Sequence, residues 1–178
     1  MEDMANHDTL TGIYNRGYLA KLLHEYLGEA IINKSSLTIA LFDIDKFKNI
    51  NDTYGHLFGD VIIKTIATLA DQMVKANNGI VVRYGGEEFV VAFPNKGLKE
   101  AYELIKQLHT NIKEKEISHN EQVIHVYVSA GVTSYPETCK NPSDLLNRAD
   151  WAMYYSKQNG RDKITIDSNE ILEKVMMQ

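Results

Sequence analysis

Residues 81–94, VVRYGGEEFVVAFP, hold two glycines and two glutamates between two apolar runs. The runs 80–84 and 89–93 are rich in β-branched and aromatic residues, which predicts two strands. The short connection Gly85-Gly86-Glu87-Glu88 predicts an antiparallel hairpin, in which the glycines are expected to supply the positive φ angles of a tight turn. The stretch therefore predicts an antiparallel sheet with two adjacent carboxylates at a hairpin tip.

Helical and extended segments alternate on both sides of this hairpin. Apolar residues at helical spacing predict helices, and short β-branched runs predict strands. The predicted helices are 15–31, 59–77, 97–115 and 142–160, and the other predicted strands are 36–45, 122–136 and 163–166. This order predicts an α+β fold with a central, mostly antiparallel sheet flanked by helices.

The composition is typical of a single globular domain. The chain has 178 residues, 44% of them hydrophobic and 24% charged, which is enough for one core. A net charge of -5 argues against nucleic acid as a partner. The single cysteine, Cys139, excludes an internal disulfide. We expect no membrane-spanning helix, because no apolar run reaches 18 residues, and we expect the domain to lie in the cytoplasm.

Acidic residues gather where the first predicted strand ends and where the hairpin turns. Asp43 and Asp45 are two apart, so on a strand they point to one face, and the carbonyl of Ile44 lies between them. If this strand neighbours the hairpin, Glu87 and Glu88 meet the aspartates at one sheet edge. A divalent cation, for which hard oxygen ligands favour magnesium, would relieve their repulsion. The alternative is that all four are solvated turn acids.

A polar segment, KFKNINDTYGHLFGD, follows the acidic strand. Lys48 can neutralise phosphate, and an amide with a carboxylate, here Asn51 and Asp60, can recognise guanine. His56 lies between them. The alternative is a polar loop that caps the next helix, with Asp60 as the N-cap.

A second basic segment, KQNGRD, ends a predicted helix. Lys157 and Arg161 can neutralise phosphates there, or they can be ordinary basic residues beside a Gly160 C-cap. The chain has no Gly-x-x-x-x-Gly-Lys motif, so a triphosphate would not be held by a P-loop.

Four segments together resemble the GGDEF family of diguanylate cyclase domains. They are DTLTGIYNR, FDIDKFKNINDTYGHLFGD, RYGGEEF and KQNGRD, and they occur in the family's order and spacing between Asp8 and Lys163. The resemblance implies a palm-like nucleotide cyclase fold and the condensation of two GTP into cyclic di-GMP with release of two pyrophosphates. It also implies a homodimer, because one domain holds one GTP.

The resemblance implies a role for each matched residue. The family pattern places magnesium, with manganese as an alternative, on Asp43, the Ile44 carbonyl, Glu87 and Glu88. Glu87 is also the expected general base. The implied substrate-binding residues are Phe47, Lys48, Asn51, His56, Asp60, Lys157 and Arg161.

The sequence departs from the family pattern in two places, and the second of them bears on regulation. The motif is Gly-Gly-Glu-Glu-Phe, a common active variant with Glu87 where the family name has Asp. The inhibitory product site, Arg-x-x-Asp in many relatives, is Ala76 and Gly79 here, so we expect product inhibition to be absent or weak. Asp60, where relatives making mixed products tend to have Ser, favours GTP.

We expect a short lead at 1–7, the catalytic domain at 8–167 and a C-terminal tail at 168–178, frayed or forming a short helix. An upstream sensor domain is expected in the full-length protein. The alternatives are a catalytically idle GTP-binding regulatory module, a mononucleotide cyclase of related fold, and purely structural acids.

Overall fold

The computed structural model describes residues 3–177. Its helices are α1 Arg16–Asn33, α2 Phe47–Tyr54, α3 His56–Ala76, α4 Leu98–Glu114, α5 Leu145–Gln158 and α6 Asn169–Met176. Its strands are β1 Tyr14–Asn15, β2 Leu37–Ile44, β3 Ile80–Arg83, β4 Glu88–Pro94, β5 Ile117–His119, β6 Gln122–Ile124, β7 Val128–Tyr135 and β8 Ile164–Ile166. Short 3₁₀ turns span Asp3–Asn6 and Pro142–Asp144.

Six strands form the main sheet in the order β1-β3-β4-β2-β7-β8. The pairs β3–β4, β4–β2 and β2–β7 are antiparallel, whereas β1–β3 and β7–β8 are parallel. The predicted α+β fold with a mostly antiparallel central sheet is confirmed. Strand β2 lies in the middle, and all eight of its residues are buried, as expected of a strand covered on both faces.

Helices cover both faces of this sheet. One core cluster joins α3 and α4 to one face, where Phe42 and Phe89 stack with ring centroids 5.3 Å apart. The other cluster joins α1 and α5 to the opposite face through residues such as Leu19, Leu41 and Met153. Because β2 is clamped from both sides, the residues at its end are held in fixed positions.

Two secondary-structure interpretations are wrong, and the C-terminal tail forms the helical alternative over Asn169–Met176. The strand predicted at 122–136 is interrupted at 125–127, so β6 pairs with β5 in a separate hairpin while β7 joins the main sheet. The polar segment after β2 is the helix α2, and α3 begins at His56. Asp60 therefore lies inside a helix and is not its N-cap. The tail forms a helix whose Ser168 side chain accepts a hydrogen bond from the backbone N–H of Ile171.

Within residues 3–177, no helix is both long and apolar enough to cross a membrane.

Candidate active site

The end of strand β2 and the tip of the β3–β4 hairpin meet at one edge of the sheet. Asp43 lies directly opposite Glu88 in the antiparallel register. One residue further, the backbone N–H of Ile44 donates to the carbonyl oxygen of Glu87 at 3.2 Å. Three of the predicted metal-binding acids are thus brought to one edge by the backbone pairing itself.

Asp43 is a buried carboxylate whose negative charge is only partly compensated by its surroundings. It is 8% exposed, and its single ion-pair partner in the described chain is Lys157, with Nζ 2.6 Å from Oδ2. Burial, opposed by Lys157 and reinforced by the charges of Glu87 and Glu88, raises the pKa of Asp43 to about 6. A buried carboxylate with raised pKa in a cleft is a mark of a functional site.

Close packing of helix α5 on strand β7 positions Lys157. A Cβ at Gly131 would lie 2.2 Å from the carbonyl oxygen of Ala149, so only glycine lets the helix approach this near. The hydroxyl of Ser156 donates to the carbonyl of Ala130 at 2.8 Å, which fixes the rotation of the last turn. The next residue, Lys157, is thereby directed at Asp43.

The glycines of the hairpin tip act differently from the prediction. Neither Gly85 nor Gly86 has a φ angle in the left-handed region, so the expected positive φ is wrong. At Gly85 a Cβ would lie 2.6 Å from Oε2 of Glu88, so a side chain there would displace the carboxylate of Glu88 from its present position. A Cβ at Gly86 would meet no atom within 4 Å, so the backbone there is open to a ligand.

The donor chemistry of this edge fits a hard divalent cation. Asp43, Glu87 and Glu88 supply carboxylate oxygens, which magnesium prefers, and their mutual repulsion is the charge that a cation would offset. Within residues 3–177, no preassembled group of three or more His, Cys, Asp or Glu side chains surrounds a point. In this arrangement the Lys157 ammonium supplies the positive charge beside Asp43.

The predicted guanine-recognising residues lie on two adjoining helices. Asn51 is in α2, and Asp60 is in the first turns of α3, one residue after Gly59. A Cβ at Gly59 would lie 1.9 Å from Oδ1 of Asn51, so glycine is required for these helices to touch. Oδ1 of Asn51 is buried without a hydrogen-bond partner in the described chain, which is unusual for a native amide.

The other predicted substrate-binding residues are in differing environments. His56 and Lys48 are exposed at the starts of α3 and α2. The ring of Phe47 is buried in the core, so only its backbone can face a substrate. Arg161 is exposed and follows α5.

Asp45 does not join the other acids, contrary to the interpretation of Asp43 and Asp45 as a pair on one strand face. Strand β2 ends at Ile44, so the alternation of sides stops before Asp45. Its carboxylate accepts a hydrogen bond from the Ser129 hydroxyl at 2.6 Å and another from the Asp162 backbone N–H at 2.9 Å. Of the four predicted acids, only Asp43, Glu87 and Glu88 therefore lie at this edge of the sheet.

One ion pair beside the site was not predicted. The guanidinium of Arg83 contacts both carboxylate oxygens of Asp8 at 3.1 Å and donates to the carbonyl of Gly86 at 2.9 Å. Burial raises the pKa of Asp8, but hydrogen bonds from Thr11 and Arg83 outweigh it and lower the pKa below its usual value. The pair joins the DTLTG segment to the hairpin. Both residues lie in motifs of the sequence, but their separation of 75 residues gave no sign that they are in contact.

The fold and the acidic edge define an α+β domain with a candidate active site at the end of its central strand. A family model described as "Diguanylate cyclase, GGDEF domain" matches residues 5–163. The chain belongs to the GGDEF family, and this prediction is confirmed.

Known relatives agree with this assignment. The chain is similar to Diguanylate cyclase A of Treponema denticola, 36% identical over 175 residues that make up 95% of this chain and 46% of the relative. It is 37% identical over 174 residues to Diguanylate cyclase DgcZ of Escherichia coli K12, covering 96% of this chain and 57% of the relative. The chain therefore spans about half the length of these curated relatives.

A solved structure has the same fold. It is a delta-N mutant of PA1120 (TpbB or YfiN) from Pseudomonas aeruginosa comprising only the GGDEF domain. It superposes with a TM-score of 0.89 at 27% identity, covering 97% of this chain and 99% of that one.

Proposed function

We propose that this chain is a diguanylate cyclase that condenses two GTP molecules into cyclic di-GMP and two pyrophosphates. The observation that carries the proposal is the buried, partly compensated Asp43 facing two glutamates across the β2–β4 pair. Such an edge attracts a divalent cation and, through it, a polyphosphate. Membership of the GGDEF family supplies the reaction.

Asp43, Glu87, Glu88 and the carbonyl of Ile44 would hold magnesium, or manganese in its place. When bound, the ion supplies charge stabilisation for the reacting phosphate and makes a nearby hydroxyl easier to ionise. Glu87 accepts the proton of the 3′-hydroxyl of one GTP. The O3′–Pα bond forms to the other GTP, the Pα–O bond to its β-phosphate breaks, and pyrophosphate leaves.

The remaining site residues bind and orient GTP. Asn51 and Asp60 recognise the guanine edge: the carboxylate accepts from the ring N–H and exocyclic amine, and the amide of Asn51 donates to acceptors on the base. His56 contacts the nucleotide. Phe47 contributes backbone under the triphosphate.

Three cations offset the charge of the triphosphate. They are Lys48, Lys157 and Arg161. Lys157 already neutralises Asp43 at 2.6 Å, so arrival of a cation at Asp43 would free its ammonium for phosphate. Electrostatic positioning of this kind provides most of the catalysis in phosphoryl transfer.

The product is made of two GTP, and each domain offers one guanine site, so the working species is a homodimer of facing half-sites. Its proposed place of action is the cytoplasm, the compartment that supplies GTP. A sensor domain in the full-length protein is the proposed control of dimerisation.

The second candidate is an idle GTP-binding regulatory module. It is the less favoured because Asp43, Glu87 and Glu88 are all retained. A mononucleotide cyclase would have to close a ring within one nucleotide, and the Asn51–Asp60 pair with the hairpin acids argues against it.

The test is a product assay by mass spectrometry on concentrated protein with GTP and Mg²⁺. We expect cyclic di-GMP from the wild type and none from Glu87→Gln, with Glu114→Gln, an exposed acid on α4, as the matched control. GTP binding without product, even when the chain is fused to a dimeric coiled coil, would identify the idle module. Absence of GTP binding would refute both. Added product should inhibit little.

A further inference from the structure

We propose that Asp45 is a positioning residue that holds the loop carrying Arg161 against the end of strand β2. The inference rests on the proposed function, because it assigns to this loop the binding of GTP phosphates. Asp45 itself touches neither the substrate nor a metal. It acts through the backbone of the loop.

The loop has a backbone conformation that must be held from outside. Gly160, Arg161 and Asp162 have successive φ angles of 110°, 61° and 46°. Residues other than glycine adopt such values at an energetic cost and persist there only where surrounding contacts fix them. Arg161 and Asp162 are both of this kind, so the loop needs anchors.

Asp45 provides the anchor on the backbone side. One of its carboxylate oxygens accepts from the N–H of Asp162 at 2.9 Å, directly after Arg161, and the other accepts from the Ser129 hydroxyl at 2.6 Å. The N–H of Asp45 donates to the carbonyl of Tyr127 at 2.8 Å. Asp45 is thus fixed between β2 and the start of β7 and bonds the loop with a charge-assisted hydrogen bond.

Helix α4 provides the second anchor through the side chain of Asp162. Nζ of Lys113 lies 2.5 Å from Oδ2 of Asp162. Nε2 of His109 is 3.3 Å from Oδ1 but is hydrogen-bonded to the carbonyl of Val128 at 3.1 Å, so Lys113 is the partner of Asp162 on this helix. The Lys113 side chain is 49% exposed, and such solvated pairs contribute little. The backbone N–H of Arg161 also donates to the carbonyl of Ser156 at 3.0 Å. Of the side-chain contacts, the one to Asp45 is the less exposed restraint on the loop.

This geometry couples the candidate metal edge to the candidate phosphate loop. Asp43 and Asp45 are two residues apart on one clamped segment, and they contact the two sides of a single turn: Lys157 before Gly160 and Asp162 after it. The guanidinium of Arg161 makes no hydrogen bond or ion pair within the described part of the chain, so it is available to an anionic ligand. Its direction depends on the turn that Asp45 holds.

The experiment is calorimetric binding of GTP and of GMP, each with Mg²⁺, to the whole chain and to variants of Asp45 and Arg161. Asp45→Ala should weaken GTP about tenfold and leave GMP nearly unchanged, because GMP lacks the outer phosphates. In an Arg161→Ala background the same substitution should weaken GTP less than about twofold, since residues acting as one unit are not additive. Asp45→Asn, which keeps one acceptor oxygen, should lie between.

Glu114→Ala controls for the loss of one negative charge, and thermal unfolding of every variant controls for folding. If Asp45→Ala does not fold, Ser129→Ala, which removes one of the two side-chain contacts, should still weaken GTP more than GMP. Unchanged GTP affinity, equal loss of GTP and GMP, or full additivity with Arg161→Ala would overturn the positioning role. A wild type that fails to bind GTP would instead overturn the proposed function.

Discussion

Two buried carboxylates lie toward opposite ends of the main sheet and differ in how their charge is met. Asp167, 3% exposed, accepts a bifurcated hydrogen bond from the Nε–H of Arg148, at 2.8 and 2.9 Å to its two oxygens, and a bond from the hydroxyl of Thr133 at 2.8 Å. Asp43, 8% exposed, pairs with Lys157 and lies beside two glutamates. Burial and the glutamates raise its pKa more than Lys157 lowers it.

The difference separates an acid with a structural environment from one with the electrostatics expected of a functional site. Asp167 joins β7, α5 and the segment before α6 through a satisfied network, and nothing in its surroundings calls for another cation. Strand pairing holds Asp43 in place, but burial and the two glutamates disfavour its charged form. Folded proteins tolerate such groups mainly where function requires them.

The largest expected effect on stability is at Asp167. Asp167→Asn leaves the guanidinium of Arg148 buried without its counter-charge, which should cost about 3–5 kcal/mol of unfolding free energy. Chemical denaturation measures it, with Asp144→Asn, an exposed acid nearby, as the control. A loss no larger than that of the control would show that Asp167 is not the structural member of the comparison.

A smaller effect, on binding, is expected at Asp60. Asp60→Ala should weaken GTP about tenfold, roughly the 1.4 kcal/mol of a lost base contact, while pyrophosphate and Mg²⁺ bind nearly as before. Asp71→Ala, on the same helix and paired with Lys75, is the matched control in calorimetry. An equal loss for all three ligands would mean that Asp60 does not recognise the base.

Asp8 tests a part-buried acid that is fully bonded. Its pKa is lowered, so the charged form stabilises the fold above the ordinary value of 3.8, and this stability is lost as pH falls through the folded pKa. Asp8→Asn should lower the unfolding free energy by about 1 kcal/mol at pH 7, and the difference should shrink at acid pH. A difference that grows on acidification would contradict this sign.

The smallest stability effect is expected at Asp43. Because burial raises its pKa, the charged form at pH 7 is disfavoured by the fold. In metal-free buffer the unfolding free energy of Asp43→Asn should therefore lie within about 1 kcal/mol of the wild-type value or exceed it. A loss as large as that of Asp167→Asn would place both acids in the structural class.

The hydrophobic pattern was sufficient to predict most of the fold. The continuous apolar run of β2 and the two runs beside Gly85-Gly86 predicted three central strands, and helical spacing predicted α1, α3, α4 and α5. Strand β6 could not be separated from β7, because β-branched residues continue across the break. Helix α2 was missed although Phe47, Ile50 and Tyr54 recur at helical spacing, because it has only 8 residues and the polar residues between them are typical of loops.

The candidate site was predictable to the extent that motif residues are also spatial neighbours. Asp43 and the hairpin acids meet through strand pairing, which the sequence pattern implies. The role of Asp45 was not predictable, because its partners, Ser129 and Asp162, are 84 and 117 residues away. Likewise, the closeness of α2 and α3 at Gly59 depends on tertiary packing.

The central claim is that Asp43 belongs to the catalytic edge and not to the framework. The direct measurement is cyclic di-GMP formation against Mg²⁺ concentration by the wild type and Asp43→Asn, both fused to a dimeric coiled coil. We expect saturable Mg²⁺-dependent product from the wild type and none from Asp43→Asn at any Mg²⁺ concentration, with unfolding midpoints alike. Product from Asp43→Asn at the wild-type rate would contradict the account.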